Sequence, residues 1–146
     1  MSNFIRNDRL MNGFAASSST VTAKSGSATI TINSSTIATL AEEYDTHGAF
    51  ALATGVFTPT VAGYYLFQCA IWAGSLATGG IGYLRKNGTA IVTDSVPVLG
   101  TACTPKPGAI IYMNGSTDYV DFLFNPNGDT SYNMNAVRIE GVLVGL

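Results

Sequence analysis

Residues 63–72 read GYYLFQCAIW, and the fold of the chain depends on this stretch. In a β-strand, successive side chains point to opposite faces of the sheet. One face of this strand would carry the odd-numbered residues Gly63, Tyr65, Phe67, Cys69 and Ile71. The other face would carry the even-numbered residues Tyr64, Leu66, Gln68, Ala70 and Trp72. Both faces are mostly apolar, whereas a strand at the surface of a monomeric sandwich has one apolar and one polar face.

The second apolar face of this strand has to be covered. We expect the cover to be another copy of the chain, because most soluble oligomers are homo-oligomers. Tyr64, Leu66 and Trp72 are the side chains that this interpretation places at the interface. The alternative is that the loop after the strand folds back over it.

The composition favours strands over helices and excludes several classes of protein. Charged residues make up 11% of the 146 residues, against roughly 25% in an average globular protein. Gly, Ser, Thr and Asn are abundant instead, which suits strands and turns. The net charge of −2 provides no basic surface for nucleic acid. A hydrophobic content of 47% is enough for the core of one domain.

A membrane span and a disulfide framework are both unsupported. Residues 46–84 contain no charged side chain, but glycines and Pro59 interrupt the stretch before a span of about 18 apolar residues accumulates. Two cysteines are too few for a zinc site or a disulfide scaffold. We expect both to be reduced, with Cys69 buried in a strand and Cys103 in a loop flanked by proline.

The first 24 residues differ from the rest and are interpreted as an N-terminal arm, with the folded domain at residues 25–146. The arm combines a Ser/Thr tract with scattered apolar side chains that we expect to dock on a partner: Phe4, Ile5, Leu10, Met11 and Phe14. A disordered tail is the alternative, since chain ends are commonly loose.

From Ala28 onward, short strand patterns alternate with turn signals. Asn87-Gly88, between two apolar runs, is typical of a two-residue hairpin turn. Strands at this regular spacing predict an all-β fold, an antiparallel jelly-roll sandwich of about ten strands.

Several anchors in these strands resemble one known family. Residues 54–59 and 62–67, TGVFTP and AGYYLF, are similar to the pattern T-G-x-F followed by G-x-Y-x-F in the globular head of complement component 1q, a member of the tumour necrosis factor superfamily. Residues 84–88 and 139–143 are similar to its L-x-x-N-G and terminal F-x-G-x-L. The matching positions are Gly55, Phe57, Gly63, Tyr65, Phe67, Asn87, Gly88, Gly141 and Leu143.

This resemblance covers residues 28–146 and implies a ten-stranded jelly roll that forms a compact homotrimer. No collagen-like repeat precedes it, so it does not extend to complement biology. Some family members bind calcium, but this sequence shows no cluster of carboxylates that would form a calcium site. We expect no cofactor and no metal.

Catalysis is not indicated. His47 is the only histidine and lies in the polar turn Asp45-Thr46-His47-Gly48. No nucleophile-elbow motif accompanies it, and the adjacent Glu42 and Glu43 lack the geometry of a glycosidase pair. The sequence therefore predicts a protein that is not an enzyme.

The leading functional hypothesis is a structural virion protein. It would be a homotrimeric capsid-decoration (cement), head-fibre or tail-fibre component of a bacteriophage, assembled in the host cytoplasm and attached through its arm to a capsid or other virion protein. The alternative is a trimeric binding module that recognises a glycan or a surface receptor, for which Trp72 and Tyr132 are the aromatic candidates. Neither hypothesis involves nucleic acid or a membrane.

Overall fold

The computed structural model describes residues 12–146, which form β-strands and turns without a helix. Within this range, therefore, no helix is long and apolar enough to cross a membrane. The thirteen strands are β1 Gly13–Ser18, β2 Thr22–Ser25, β3 Ile30–Thr31, β4 Ala41–Asp45, β5 Phe50–Ala51, β6 Val56–Phe57, β7 Gly63–Gly74, β8 Gly80–Lys86, β9 Thr89–Val96, β10 Ala102–Cys103, β11 Gly108–Met113, β12 Val120–Asn125 and β13 Ser131–Gly145.

The strands form two sheets, as an antiparallel jelly roll requires. In the first sheet the order is β10-β7-β13-β1-β4, with β11 also pairing β7 and β2 also pairing β13. In the second the order is β5-β6-β12-β8-β9, with β3 also on β12. All the pairings are antiparallel, which confirms the predicted fold class, although the strands are more numerous than ten because several have only two residues.

The core between the sheets is aromatic. The inward side chains of β7, including Tyr65, Phe67 and Ile71, are almost fully buried, as their alternation predicts. Phe57 of the second sheet packs edge-to-face on Phe67, with ring centroids 5.9 Å apart. Burying one such side chain stabilises the fold by roughly 1.5–3 kcal/mol.

Phe14 belongs to this core, so the predicted boundary at residue 24 is wrong. Its ring is fully buried and stacks on Phe50 and Phe57, at centroid distances of 4.3 and 4.7 Å. Strand β1 lies between β13 and β4, inside the first sheet rather than beside it. The other predicted arm residues, Phe4, Ile5, Leu10 and Met11, lie outside the described residues.

Close packing explains two of the glycines among the family-like anchors. A Cβ on Gly141 would lie 2.6 Å from the ring of Phe67 and 2.9 Å from that of Phe14. Gly55 has a φ of +73°, and a Cβ there would lie 2.2 Å from a backbone oxygen of Ile32. A side chain at either position would push the sheets apart or strain the turn.

Other local predictions had mixed outcomes. The Asn87-Gly88 turn connects β8 to β9 with φ values of 51° and 80°, as the hairpin signal predicts. Cys103 was expected in a loop but lies in β10, opposite Ala73, and is buried.

The two cysteines give a prediction about thiol reactivity. Both are free and buried, and burial raises the pKa of Cys103 to about 11 and that of Cys69 well above its usual range. Because the unfolded chain loses these protons near the ordinary thiol pKa of about 8.5 while the folded chain keeps them, stability falls as pH rises above about 9. We expect iodoacetamide at pH 8 to label neither thiol in the native protein and both in urea.

Serine substitutions extend this test. Cys69→Ser and Cys103→Ser should each lower the free energy of unfolding by about 1–3 kcal/mol, because a hydroxyl replaces a buried thiol. Urea unfolding followed by circular dichroism measures this. Rapid labelling of Cys103 in protein with a native spectrum would contradict its burial.

Candidate functional site

The outer face of the first sheet, on the side away from the core, carries large exposed apolar side chains. The even-numbered residues of β7 point to this face, and Tyr64 and Trp72 are 49% and 52% exposed. Such a row on an outer face differs from the isolated apolar residues found on most protein surfaces.

Neighbouring strands extend the row into a continuous patch. Tyr112 and Ile110 of β11 lie opposite Tyr64 and Leu66, and Val142 of β13 lies on the other side of Leu66. The rings of Tyr64 and Tyr112 meet edge-to-face at 5.4 Å. The residues of this apolar patch are Tyr64, Leu66, Ile110, Tyr112, Val142 and Val144.

A polar band crosses the middle of the same face. Arg138 of β13 donates from Nε and Nη2 to Oε2 of Glu140, at 3.2 and 3.0 Å. Its Nη1 donates to Oε1 of Glu43 on β4 at 2.5 Å, and Ser17 donates to the same oxygen at 2.7 Å. The hydrogen bonds from Arg138 and Ser17 lower the pKa of Glu43, and those to Glu43 and Glu140 raise the pKa of Arg138.

The band also contains a shallow depression of about 240 Å³. Its lining residues are Gln68, Cys69, Ala70, Lys106, Gly108, Arg138 and Glu140. Beyond it, toward the end of β7, the face becomes apolar again around a second depression of about 270 Å³. We call this second area the Trp72 area; it includes Ala70, Trp72, Thr104 and Ala136.

The two ends of the domain differ in what they present. At one end the described chain begins and ends, because the carbonyl of Asn12 accepts a hydrogen bond from Leu143 and Gly145 pairs with Tyr64. At the other end lie the loops 75–79, 97–101 and 126–130. We call these the distal loops.

Hydrogen bonds join the distal loops into one unit. Asp129 accepts from the backbone N–H groups of Ala77 and Thr78 at 3.0 and 3.1 Å, and these bonds lower its pKa. Leu76 donates to the carbonyl of Thr101 at 3.0 Å. Leu99 projects from this unit with 91% of its surface exposed, beside an apolar depression of about 400 Å³.

The structure places all three predicted interface residues on the outer face. Tyr64 and Leu66 belong to the apolar patch, and Trp72 belongs to the Trp72 area. That these residues form an interface between copies of the chain stays a prediction. The contributions of Ile110, Tyr112 and Val142 were missed, because the register of β11 and β13 against β7 cannot be read from the sequence.

Two other candidates have clear positions. Tyr132, considered as a platform for a sugar, is 2% exposed and packs on Phe124, so that prediction is wrong. His47 is exposed in its turn, and Nδ1 lies 3.1 Å from the hydroxyl of Thr46. Within residues 12–146, no three His, Cys, Asp or Glu side chains come together as a metal site would require.

No family model and no curated protein matches the sequence, but solved structures match the fold. The globular domain of zebrafish complement 1qA protein superposes with a TM-score of 0.65 at 16% identity, over 92% of this chain and 97% of that one. PRD1 vertex protein P5 gives 0.64 at 9% identity, over 93% and 99%. Eiger TNF from S. frugiperda gives 0.66 at 9% identity, over 94% of each chain. The chain therefore has the jelly-roll fold of the complement 1q and tumour necrosis factor proteins, as its anchor residues predict.

Proposed function

We propose that the protein is a structural component of a virus particle: a homotrimeric capsid-decoration, head-fibre or tail-fibre protein that is attached by its N-terminal residues. The observation that carries the proposal is the apolar patch on the outer face of the first sheet. It calls for a partner surface of comparable apolar character, and a second copy of the chain supplies one.

The composition of the patch fits a protein–protein contact. Aromatic side chains are enriched in interfaces, and charged ones are depleted at their centres. Tyr64, Tyr112 and Ile110 are each about half or more exposed in the single chain, so their burial remains available to association. At roughly 25 cal/mol per Å² of buried apolar area, a few such side chains support a stable contact. The threefold arrangement is what the resemblance to the complement 1q head implies.

The virion role has indirect support. PRD1 vertex protein P5, whose name places it at a virus vertex, has the same fold over nearly the whole chain. Because one fold hosts many functions, this likeness raises the plausibility of the role without assigning it. In this role the capsid or another virion protein is the partner, and the protein is located in the virion without catalytic activity or cofactor.

The position of the chain ends supports attachment through residues 1–11. The first described residue, Asn12, lies at the end of the domain opposite the distal loops. A segment that anchors there leaves those loops pointing away from the particle. The apolar side chains in residues 1–11 that we expect to dock on a partner are Phe4, Ile5, Leu10 and Met11.

A second candidate function, recognition of a glycan or a surface receptor, is favoured by the distal loops. Their hydrogen bonds hold Leu99 in a fixed, exposed position, and preorganisation of this kind lowers the entropic cost of binding. Residues 72–80 and 95–104 contain no charged side chain, and the carboxylate of Asp129 is already bonded to Ala77 and Thr78, so we expect a ligand of this surface to be neutral.

The trimer is tested by Tyr64→Glu. Wild-type protein should elute with three times the chain mass of 15.2 kDa in chromatography with light scattering. The variant should be monomeric, because it places a charge in the apolar patch. Val21→Glu is the matched control, since Val21 is 59% exposed outside the patch and should leave the trimer intact. A wild-type monomer at micromolar concentration would contradict the proposal.

The attachment is tested by deleting residues 2–11. Because β1 begins at Gly13, the truncated protein should keep its circular dichroism spectrum and its oligomeric state but fail to join the particle. A deletion reaching residue 20 is unsuitable, since it would remove β1 and Phe14 from the core. A full-length variant controls for the shorter chain of the deletion. It has serine in place of the four apolar residues Phe4, Ile5, Leu10 and Met11. Normal incorporation of both variants would place the anchor on the folded domain.

The second candidate function is tested on an array of neutral and acidic glycans. If the distal loops bind neutral glycans, Leu99→Ser should weaken binding about tenfold, which corresponds to the loss of about 1.4 kcal/mol of apolar contact. Val21→Ser is the control for an exposed apolar residue elsewhere. Equal binding by wild type and Leu99→Ser would remove the distal loops from glycan recognition.

A further inference from the structure

The polar band lies between two apolar areas of one sheet face. The apolar patch is at one end of β7 and the Trp72 area at the other, with Gln68 between them on the same strand. A second copy that covers both apolar areas must also cover the band. The charges of the band therefore enter the interface if the proposed trimer forms, and this inference rests on that proposed function.

Charges inside the band balance within one copy of the chain. Arg138 and Lys106 are positive, whereas Glu43 and Glu140 are negative. Arg138 is 45% exposed in the single chain and reaches both carboxylates at once, one on β4 and one on β13. The guanidinium group suits this task, since its planar fork can donate in two directions, which the ammonium group of lysine does less well.

We propose that Arg138 is the residue that allows this face to be buried between copies. By pairing with Glu43 and Glu140, it presents the partner with a neutral band instead of two carboxylates. Without Arg138, each association would bring unpaired carboxylates of several copies into a space that excludes water. Both the loss of hydration and the repulsion of like charges oppose such burial.

The surroundings of Arg138 predict how pH acts on this cluster. The groups that face it are Glu43 and Tyr44 on β4, Ser17 on β1, Gln68 on β7, Glu140 on β13 and Lys106 before β11. Near neutral pH only Arg138, Lys106 and the two glutamates are charged. Acid strong enough to protonate carboxylates removes their negative charges.

Wild type and a variant without the guanidinium should therefore respond to acid in opposite directions. In the wild type, Arg138 holds the pKa of Glu43 below its usual range. The Arg138–Glu43 ion pair therefore persists to a lower pH than the pKa of an ordinary glutamate would allow. Acid that protonates Glu43 beyond that point removes the Arg138–Glu43 ion pair and weakens the contact. In Arg138→Ala, the same acid neutralises the unpaired glutamates and restores the contact.

The experiment measures the midpoint concentration of assembly by analytical ultracentrifugation at pH 7.5 and pH 4. For Arg138→Ala we expect this midpoint to rise about 100-fold at pH 7.5 and to return to within about tenfold of the wild type at pH 4. Adding Glu43→Gln and Glu140→Gln should restore assembly at both pH values, because the band then contains no carboxylate that lacks its guanidinium partner. Arg85→Lys is the control: it replaces a guanidinium that pairs with Asp121 within the second sheet, keeps the positive charge and should leave the midpoint unchanged.

The outcomes separate this inference from the proposed function. If Tyr64→Glu prevents assembly but Arg138→Ala assembles like wild type at pH 7.5, the band is outside the interface and the inference is wrong. It is also wrong if the glutamine substitutions fail to rescue Arg138→Ala while the circular dichroism spectrum remains native. If the wild type itself does not assemble, both the inference and the proposed trimer are wrong.

Discussion

The structure depends on strand β7, which has two apolar faces. Its inward side chains, above all Tyr65 and Phe67, pack on Phe57 of the second sheet, which also stacks on Phe14, and these contacts join the two sheets into one core. Its partner β13 follows it over almost its full length, and Gly141 makes room for the ring of Phe67. The same strand then has to present its other apolar face outward. A fold built on this strand therefore produces an exposed apolar surface as a consequence of forming its core.

Sequence reasoning found what local patterns determine and missed what distant pairing determines. The alternation in β7 and the hairpin at Asn87-Gly88 are each visible in a few consecutive residues. Strand β1 was missed because Ala15, Ala16 and Ser17 give no amphipathic signal; their small side chains fit there only because β13 and β4 flank them on both sides. The two-residue strand β10, which buries Cys103, likewise exists only through its pairing with β7.

The residues of the outer face also divide into those that local patterns predict and those that they do not. Tyr64, Leu66 and Trp72 followed from alternation along one strand, so they could be predicted. The rest of the apolar patch comes from β11 and β13, whose register is set by turns and packing far from β7 in sequence. The ion cluster joins Arg138 to Glu43 across 95 residues, and no spacing rule connects them.

In the proposed trimer, the apolar and charged parts of the outer face have different tasks. Apolar contact supplies most of the affinity but has little directional preference, so it would tolerate several ways of placing one copy on another. A fixed set of ion pairs discriminates between them, since a shifted copy would bring like charges together or leave a carboxylate buried without a partner. The zebrafish complement domain and the PRD1 vertex protein have the same fold at 16% and 9% identity. Most side chains on this face therefore need not be shared for the fold to form. In the proposed trimer, those side chains select the partner surface, and the charged ones include Arg138 and Glu140 on the central strand β13 and Glu43 on the edge strand β4.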